Sequence, residues 1–328
     1  MGVVESLSAA ASPALWCQTF FVGAAATVVL VHVVPPELRD ALLEYGARRS
    51  GDQGPAAAKR AGKGPESHGA AATRDGGLVA SLAAVARQAS VPHSWFWHYY
   101  LVCVSWTAFW AWQYVRKAPV LQTVARAQVE ADARSGSLSV ELSRVFIAWS
   151  MLAVQGTRRL YESLCVTRPG KSPMLLIHWV LGLLFYTTMN VAVWVHGSGA
   201  ILDTSKAALP ADLLSPRVAW ALALFLAASW KQNECHHHLA NLKKYTLPSR
   251  GMFRYIVCPH YTCECAIYLA VAFLAAPPGG LFNASVLCGL SFVVVNLGAT
   301  AHGTKAWYAE KFGSDSVARR WKMIPFVF

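Results

Sequence analysis

The chain has 328 residues, with 29 Lys+Arg against 17 Asp+Glu, 55% hydrophobic residues and 14% charged ones, where a soluble domain carries about 25% charged. Together with a mean hydropathy of +0.35, this balance excludes an ordinary soluble enzyme, a disordered chain and a small disulfide-stapled secreted domain. The formal charge of +12 reads as membrane topology rather than nucleic-acid binding, because Lys and Arg gather in the cytoplasmic loops of polytopic proteins.

The first apolar run, 13–34, is preceded by Glu5 and by no Lys or Arg, so it lacks the basic start of a cleaved signal peptide and is expected to be retained. The loop after it contains 51–77, rich in Gly, Ala and Pro and without an aromatic residue, which predicts disorder. Runs free of Asp, Glu, Lys and Arg follow at 91–115, 172–196 and 281–301, and 213–230 carries Arg217 alone near its start, each near the roughly 20 residues that cross a hydrocarbon core. Segment 142–164 adds a span if Arg144, Arg158, Arg159 and Glu162 lie near its ends or face a cavity. The run 261–276 adds a short one with Glu264 inside it, turned into the last by Pro277-Pro278-Gly279-Gly280. The expected fold class is therefore all-α: a polytopic membrane protein of about seven transmembrane helices.

Counting basic residues orients these spans. Segments 37–90, 165–171, 231–260 and 302–328 hold 20 Lys+Arg, while 116–139 and 197–212, with the N-terminus and the Pro-Gly turn, hold 5. Without the long first loop the count is still 12 against 5. The first set and the C-terminus are placed in the cytosol and the N-terminus in the lumen. The sequon Asn283-Ala284-Ser285 then faces the lumen but abuts the bilayer too closely to be glycosylated. The eight cysteines include no CxxC pair, and Cys263-x-Cys265 is the closest spacing, so neither a disulfide framework nor a zinc site follows.

The same topology brings the polar clusters to one side. Trp95-Phe96-Trp97-His98-Tyr99-Tyr100, then Gln155 with Arg158, Arg159, Tyr161 and Glu162, then 231–244, then His260-Tyr261 with Glu264, and last 302–308, all fall at cytosolic ends of spans. A charge at mid-bilayer costs about 2.5–3.5 kcal/mol, so their convergence at one depth points to a shared cavity, with interfacial snorkelling as the bland alternative. Arg158 and Glu162 are spaced to pair at i, i+4. Arg159 is left for another partner, and the guanidinium fork suits a phosphate. His236-His237-His238 are about 100° apart on a helix and cannot share one ion, so no metal is expected. Gln232, His236, Asn241 and Lys243 can instead line a groove for a polar cofactor. Buried Glu264 needs a donor, either a ligand amide or a histidine of the protein.

Several of these segments, Gln155-x-x-Arg158-Arg159-Leu160-Tyr161-Glu162, Gln232...Cys235-His236-x-x-Leu239-x-Asn241-Leu242, Phe253-x-Tyr255...Pro259-His260-Tyr261-x-x-Glu264-x-x-x-Tyr268 and the ending Trp307-Tyr308-x-x-Lys311-Phe312...Ile324-Pro325-Phe326-Val327-Phe328, resemble the steroid 5α-reductase family. With Val91-Pro92 and 95–100 they look most like its polyprenal reductase branch, so the resemblance runs from about residue 91 to the C-terminus. It implies a first transmembrane helix and cytosolic loop over 1–90 and a six-helix catalytic region over 91–328. It also implies an endoplasmic-reticulum enzyme that uses NADPH to reduce a carbon–carbon double bond conjugated to a carbonyl. In that branch the substrate is a polyisoprenoid aldehyde entering from the bilayer, and the product, dolichal, feeds protein N-glycosylation.

By position, Arg158, Gln232, His236, Asn241, Lys243, His260, Glu264 and Tyr308 fall where the family holds its dinucleotide, and Trp95, Arg159 and Lys305 complete the expected cofactor set. Steroid-reducing members place a carboxylate near 95–100 against the substrate carbonyl. This sequence offers no acid there, so His98 with Tyr99 or Tyr100 must supply the hydrogen bond, with Gln155 orienting. The family's Arg before the Phe-x-Tyr motif is matched here by Thr246. An enone steroid substrate, an isoprenylcysteine-type membrane methyltransferase and a non-catalytic transporter or scaffold are the competing readings. The methyltransferase normally carries paired glutamates that Tyr308-Ala309-Glu310-Lys311 lacks, and the sequence shows none of the discontinuous helices that a transporter places around a midplane site.

Overall fold

A computed structural model describes residues 12–31, 33, 34, 77, 81, 89–168, 173–203, 215–243 and 246–328. The disorder expected over 51–77 falls, Gly77 apart, outside the described residues. The described chain is helical in nearly all of its regular structure: α1 (Pro13–Leu30), α2 (Trp97–Val115), α3 (Pro119–Ser135), α4 (Leu142–Tyr161), α5 (Leu176–Val195), α6 (Ser198–Leu202), α7 (Pro216–Asn241), α8 (Pro259–Leu274) and α9 (Ala284–Phe312). Each of the seven expected apolar runs overlaps one of these helices along most of its length. By length and composition α1, α5 and α9 can cross a membrane, and the chain is a helical membrane protein. Of the other four, α4 holds Arg144, Arg158 and Arg159, α7 holds Arg217, Lys231 and Glu234, α8 has only 16 residues, and α2 is uncharged but rich in Trp and Tyr.

Two local expectations are corrected. Residues 91–96 are not α-helical. Ser90–Pro92 forms a strand, β1, antiparallel to β2 (Pro173–Leu175) with Ser90 opposite Leu175, and His93–Phe96 is a 3₁₀ turn. Pro92 has no N–H to give a helix and disfavours helical geometry at Val91, which explains the delayed start of α2. Second, α3 occupies a stretch too polar to be read as a span. It buries Leu121, Ala125 and Gln128, a one-sided i, i+4, i+7 stripe, behind Pro119 in its first turn and before Gly136, whose φ of 67° ends it. The helix α7 continues past 230 to Asn241, so the polar segment 231–241 forms its last three turns, in keeping with the helical spacing expected of His236, His237 and His238.

Contacts divide the chain into two compact units, 1–28 with 97–168 and 182–328, and 29–96 with 169–181. The smaller unit contains the β1–β2 ladder, Trp95 against Trp179 with ring centroids 5.4 Å apart, and His93 stacked on Phe96. The larger unit has an aromatic core in which Phe185 meets Phe21, Tyr186, Tyr268 and Phe292 at 5.1–5.7 Å. A second cluster packs Trp110, Leu121, Val140, Val145 and Trp194.

Basic side chains inside helices of the larger unit are spent on backbone at one end. Arg144 Nε donates to Leu274 O at 3.0 Å and its Nη2 to Ala276 O, while Arg217 Nη2 donates to Gly280 O at 3.0 Å. These two cations cover carbonyls left over at the C-terminus of α8, where a positive charge is favourable. Asn283 is fully buried, accepts from Val286 N to cap α9 and donates to Ala275 O, so its amide is not available to a glycan. At this end too, Gln128 Oε1 of α3 accepts from Ala14 N at 2.9 Å, tying α1 to the bundle.

Two helix contacts depend on glycine. A Cβ at Gly182 would sit 2.5 Å from the Tyr99 ring, and one at Gly156 would sit 2.8 Å from Cys103 Sγ. Gly182→Ala is expected to cost about 1–3 kcal/mol, the usual range for overpacking. A thermal melt in detergent checks this, and an unchanged Tm contradicts the close approach of α2 and α5.

Candidate active site

The candidate site is a buried polar cluster where α2, α4, α7 and α8 meet. On α4 the inward residues Val145, Ala148, Leu152, Gln155 and Arg159 recur every three or four positions, so one face passes from apolar packing to polar groups as the helix reaches its end. A single π turn, Glu162–Val166, follows. Such turns favour functional sites because they re-aim side chains.

Glu162 is 0% exposed and is the hub of the cluster. Its Oε1 accepts from Arg158 Nη1 and from Asn233 Nδ2 at 2.7 Å. Its Oε2 accepts from Arg159 Nη1 and lies 2.7 Å from His236 Nδ1. The expected Arg158–Glu162 pair is present. Arg159, expected to be left for a phosphate, is instead engaged inside the protein. Its Nε and Nη2 donate to the Tyr100 hydroxyl oxygen at 3.1 and 2.7 Å, and its Nη1 is shared between Glu162 and His236. His236 Nδ1 lies 2.8 Å from that Nη1, so it accepts from Arg159 in one tautomer and donates to Glu162 in the other.

A second carboxylate anchors the α8 side. Glu264 Oε2 accepts from Gln155 Nε2 at 3.1 Å and from Gln232 Nε2. Its donors are therefore two glutamine amides, where a ligand amide or a histidine was expected. The glutamines are bonded to each other, Gln155 Nε2 to Gln232 Oε1 at 3.1 Å, and Arg158 Nη2 donates to the side-chain oxygens of both. Gln232 Nε2 also reaches His260 O at 3.2 Å. Two arginines and two glutamates balance in formal charge, so the cluster is dense in hydrogen bonds rather than basic.

The other expected residues are distributed around it. Tyr99 is buried with its ring over Gly182, and His98 is part-exposed beside Trp97. Trp95 belongs to the smaller unit. Asn241, with Lys231, His237, His238, Arg250 and Phe253, lines a groove of about 250 Å³. Lys243 follows the end of α7. Lys305 Nζ donates to Ala318 O and Arg320 O at 3.2 and 2.6 Å, pinning the C-terminal segment, and Tyr308 packs against the Val257, Ala301 and Met323 cluster. Among the described residues no three His, Cys, Asp or Glu side chains come together as a metal-ligand set. Sequence reasoning missed Asn233. Its signal was its place three residues before His236, on the same helical face.

Comparison with known proteins bears on the same segments. The sequence profile of the 3-oxo-5-alpha-steroid 4-dehydrogenase family matches residues 172–328. A protein of Xenopus tropicalis named polyprenal reductase is 28% identical over 259 residues, spanning 73% of this chain and 80% of the relative. Proteins of the same name from Caenorhabditis elegans and Saccharomyces cerevisiae are 27% and 32% identical, covering 73% and 55% of this chain and 80% and 64% of the relatives. The chain is thus similar to the 3-oxo-5-alpha-steroid 4-dehydrogenase family over its C-terminal part and to proteins named polyprenal reductase over most of its length. These similarities indicate a double-bond oxidoreductase, and the motif residues Gln155, Arg158, Glu162, Gln232, His236 and Glu264 are the ones that interlock in the cluster.

Because Glu162 is the ion-pair partner of both Arg158 and Arg159, Glu162→Gln is expected to destabilise the protein by about 3–5 kcal/mol, the range for breaking a buried ion pair from one side. Lys231 and Glu234 pair at 2.8 Å on the surface, and Lys231→Ala is expected to leave stability unchanged. Parallel melts decide this: two variants of equal Tm contradict the hub.

Proposed function

We propose that this chain reduces the α,β double bond of polyprenal to give dolichal, with NADPH as the reductant, in the endoplasmic-reticulum membrane, its N-terminus luminal and its C-terminus cytosolic. The observation that carries the reading is the buried cluster itself. It is built from the segments that carry the family likeness, and it adjoins an apolar aromatic wall through Tyr100, whose ring lies 5.6 Å from that of Tyr186. A polar end against an apolar wall suits a long hydrocarbon with one reactive carbonyl. The uneven distribution of Lys and Arg supports the orientation.

The residues present fit a dinucleotide. Arg158 Nε, His260 Nδ1 and His238 Nε2 are buried nitrogens without a hydrogen-bond partner among the described residues. The groove beside His238 is lined by Lys231, His237 and Arg250 as well, side chains suited to phosphate. In the proposal Arg158, Gln232, His236, His260 and Glu264 hold the inner part of the cofactor, and Asn241 and Lys243 its outer part. When bound, NADPH supplies a hydride. The protein's own contribution is electrostatic and positional: charge develops on the aldehyde oxygen as the β-carbon is reduced, and a fixed donor from α2 stabilises it. Candidates for that donor are His98, Tyr99 and Tyr100, with Gln155 oriented by Arg158 and Glu264 beside them. Because the family profile takes its name from a 3-oxo steroid dehydrogenase, an enone steroid is the second reading for the substrate.

Membranes containing the protein, supplied with NADPH, are expected to convert polyprenal to dolichal. Turnover of an enone steroid with no dolichal formed contradicts the substrate assignment and leaves the reaction class standing.

A further inference from the structure

We infer that the groove along the outer face of α7 takes the 2′-phosphate of the cofactor's adenosine, and that Arg250 is the residue that makes the protein select NADPH over NADH. This rests on the reductase reading above and says which end of the dinucleotide is read for identity, and by which side chains.

The groove has a volume of about 250 Å³ and two fixed walls. On one side Lys231, Cys235, His238 and Asn241 recur every three or four residues, so they lie along one face of α7. Gln232 and His236 lie on another face and join the buried cluster. The second wall is the 3₁₀ turn Gly251–Arg254, with Arg250 just before it. Gly251 has φ 56°, a left-handed conformation that glycine adopts without strain, and a Cβ there would come within 3.4 Å of Glu234 Oε1. The turn is closed by Phe253 N donating to Arg250 O at 3.1 Å. Arg320 Nη1 donates to Pro248 O at 2.7 Å, which ties down the segment that leads into Arg250.

The polar groups of the groove are those of an anion site. Lys231 and Glu234 pair with each other at 2.8 Å and cancel in charge. Arg250 is exposed and makes no ion pair among the described residues, so the groove keeps one unmatched cation. His238 lines it too, and its Nε2 is a buried nitrogen without a hydrogen-bond partner among the described residues. A phosphomonoester brings about −1.5 to −2 charge and three acceptor oxygens, which suits a guanidinium fork beside an imidazole nitrogen.

Position along α7 selects the 2′-phosphate among the cofactor's phosphates. In the reading above, Gln232 and His236 hold the inner part of the dinucleotide. Asn241 lies nine residues beyond Gln232 on the same helix, about 14 Å along the axis, so the groove meets the adenosine end. Its floor is apolar, with Cys235 and Phe253 buried there beside Met252, and this suits the flat face of adenine. NADH has the same adenine and pyrophosphate and carries a hydroxyl where NADPH carries the phosphate. A cation kept for that position therefore adds affinity for NADPH alone.

The test measures the Kd for NADPH and for NADH, by nucleotide fluorescence, on purified wild type, Arg250→Ala, Arg250→Lys, His238→Phe and Arg254→Ala, with 2′-AMP and 5′-AMP as competitors. Wild type is expected to bind NADPH at least about tenfold more tightly than NADH, the effect of one hydrogen bond to a charged group. Arg250→Ala should weaken NADPH by about tenfold and NADH by less than about twofold, and 2′-AMP, but not 5′-AMP, should lose potency. Arg250→Lys, with the charge but no fork, should fall between wild type and Arg250→Ala. His238→Phe keeps a ring against Phe253 and removes the nitrogen, so it should weaken NADPH in the same sense by about threefold. Arg254 is on the same turn but does not line the groove, and Arg254→Ala should keep the wild-type ratio. An Arg250→Ala protein with the wild-type ratio of the two Kd values overturns the inference, and so does an equal loss of both nucleotides. A wild type that binds NADPH and NADH equally, and still reduces polyprenal, overturns it and leaves the reductase reading standing. Binding of neither nucleotide overturns the NADPH reading itself, an outcome distinct from any effect confined to the variants.

Discussion

A carboxylate shut away from water must be fully paired, and Glu162 is 0% exposed. Ionised and alone, it would cost several kcal/mol. Two arginines of its own helix, together with Asn233 and His236 of α7, remove that cost, and in doing so they lock α4 against α7 in a single rotation. Gln155 and Gln232 carry the same lock across to Glu264 on α8. The positions of Tyr100, Arg158 and His236 all follow from this pairing, because each is bonded to Glu162 directly or through one guanidinium.

The pairing changes the meaning of the chain's basic surplus. The four arginines that lie inside apolar spans, Arg144, Arg158, Arg159 and Arg217, do not form a cationic pocket. Two of them cover carbonyls at and beyond the end of α8, and two pair with Glu162, with Glu264 completing the charge balance of the cluster. The excess of positive charge belongs to the connecting segments and to the groove edged by Lys231 and Arg250. The reacting end of the proposed site is therefore close to neutral. Its chemistry depends on the direction of fixed donors more than on net charge.

Much of this was legible in the sequence because hydrophobic run length and i, i+4 spacing are local properties. The seven runs fall in helices, and the Arg158–Glu162 pair could be read from spacing alone. What was not legible depends on which helices become neighbours. Nothing local in Arg159 says that Tyr100, 59 positions earlier, will take up its fork. Nor does Glu264 announce that its donors will be two glutamines, one of them 109 positions away. The start of α2 was misjudged because apolar content outweighed Pro92 in the reading, whereas backbone geometry outweighs it in the fold. The helix α3 was overlooked because only a narrow stripe of it is buried.

The account stands or falls on whether this cluster directs reduction to the carbon–carbon bond by polarising the aldehyde oxygen. Running the reaction with NADPH deuterated at the transferring position, in ordinary water, and locating the label by NMR tests that claim. Deuterium at the β-carbon of dolichal, with the α-hydrogen exchanging in from solvent when the experiment is repeated in deuterated water, is the predicted result. Deuterium on the carbonyl carbon, giving a labelled alcohol with its double bond intact, contradicts it.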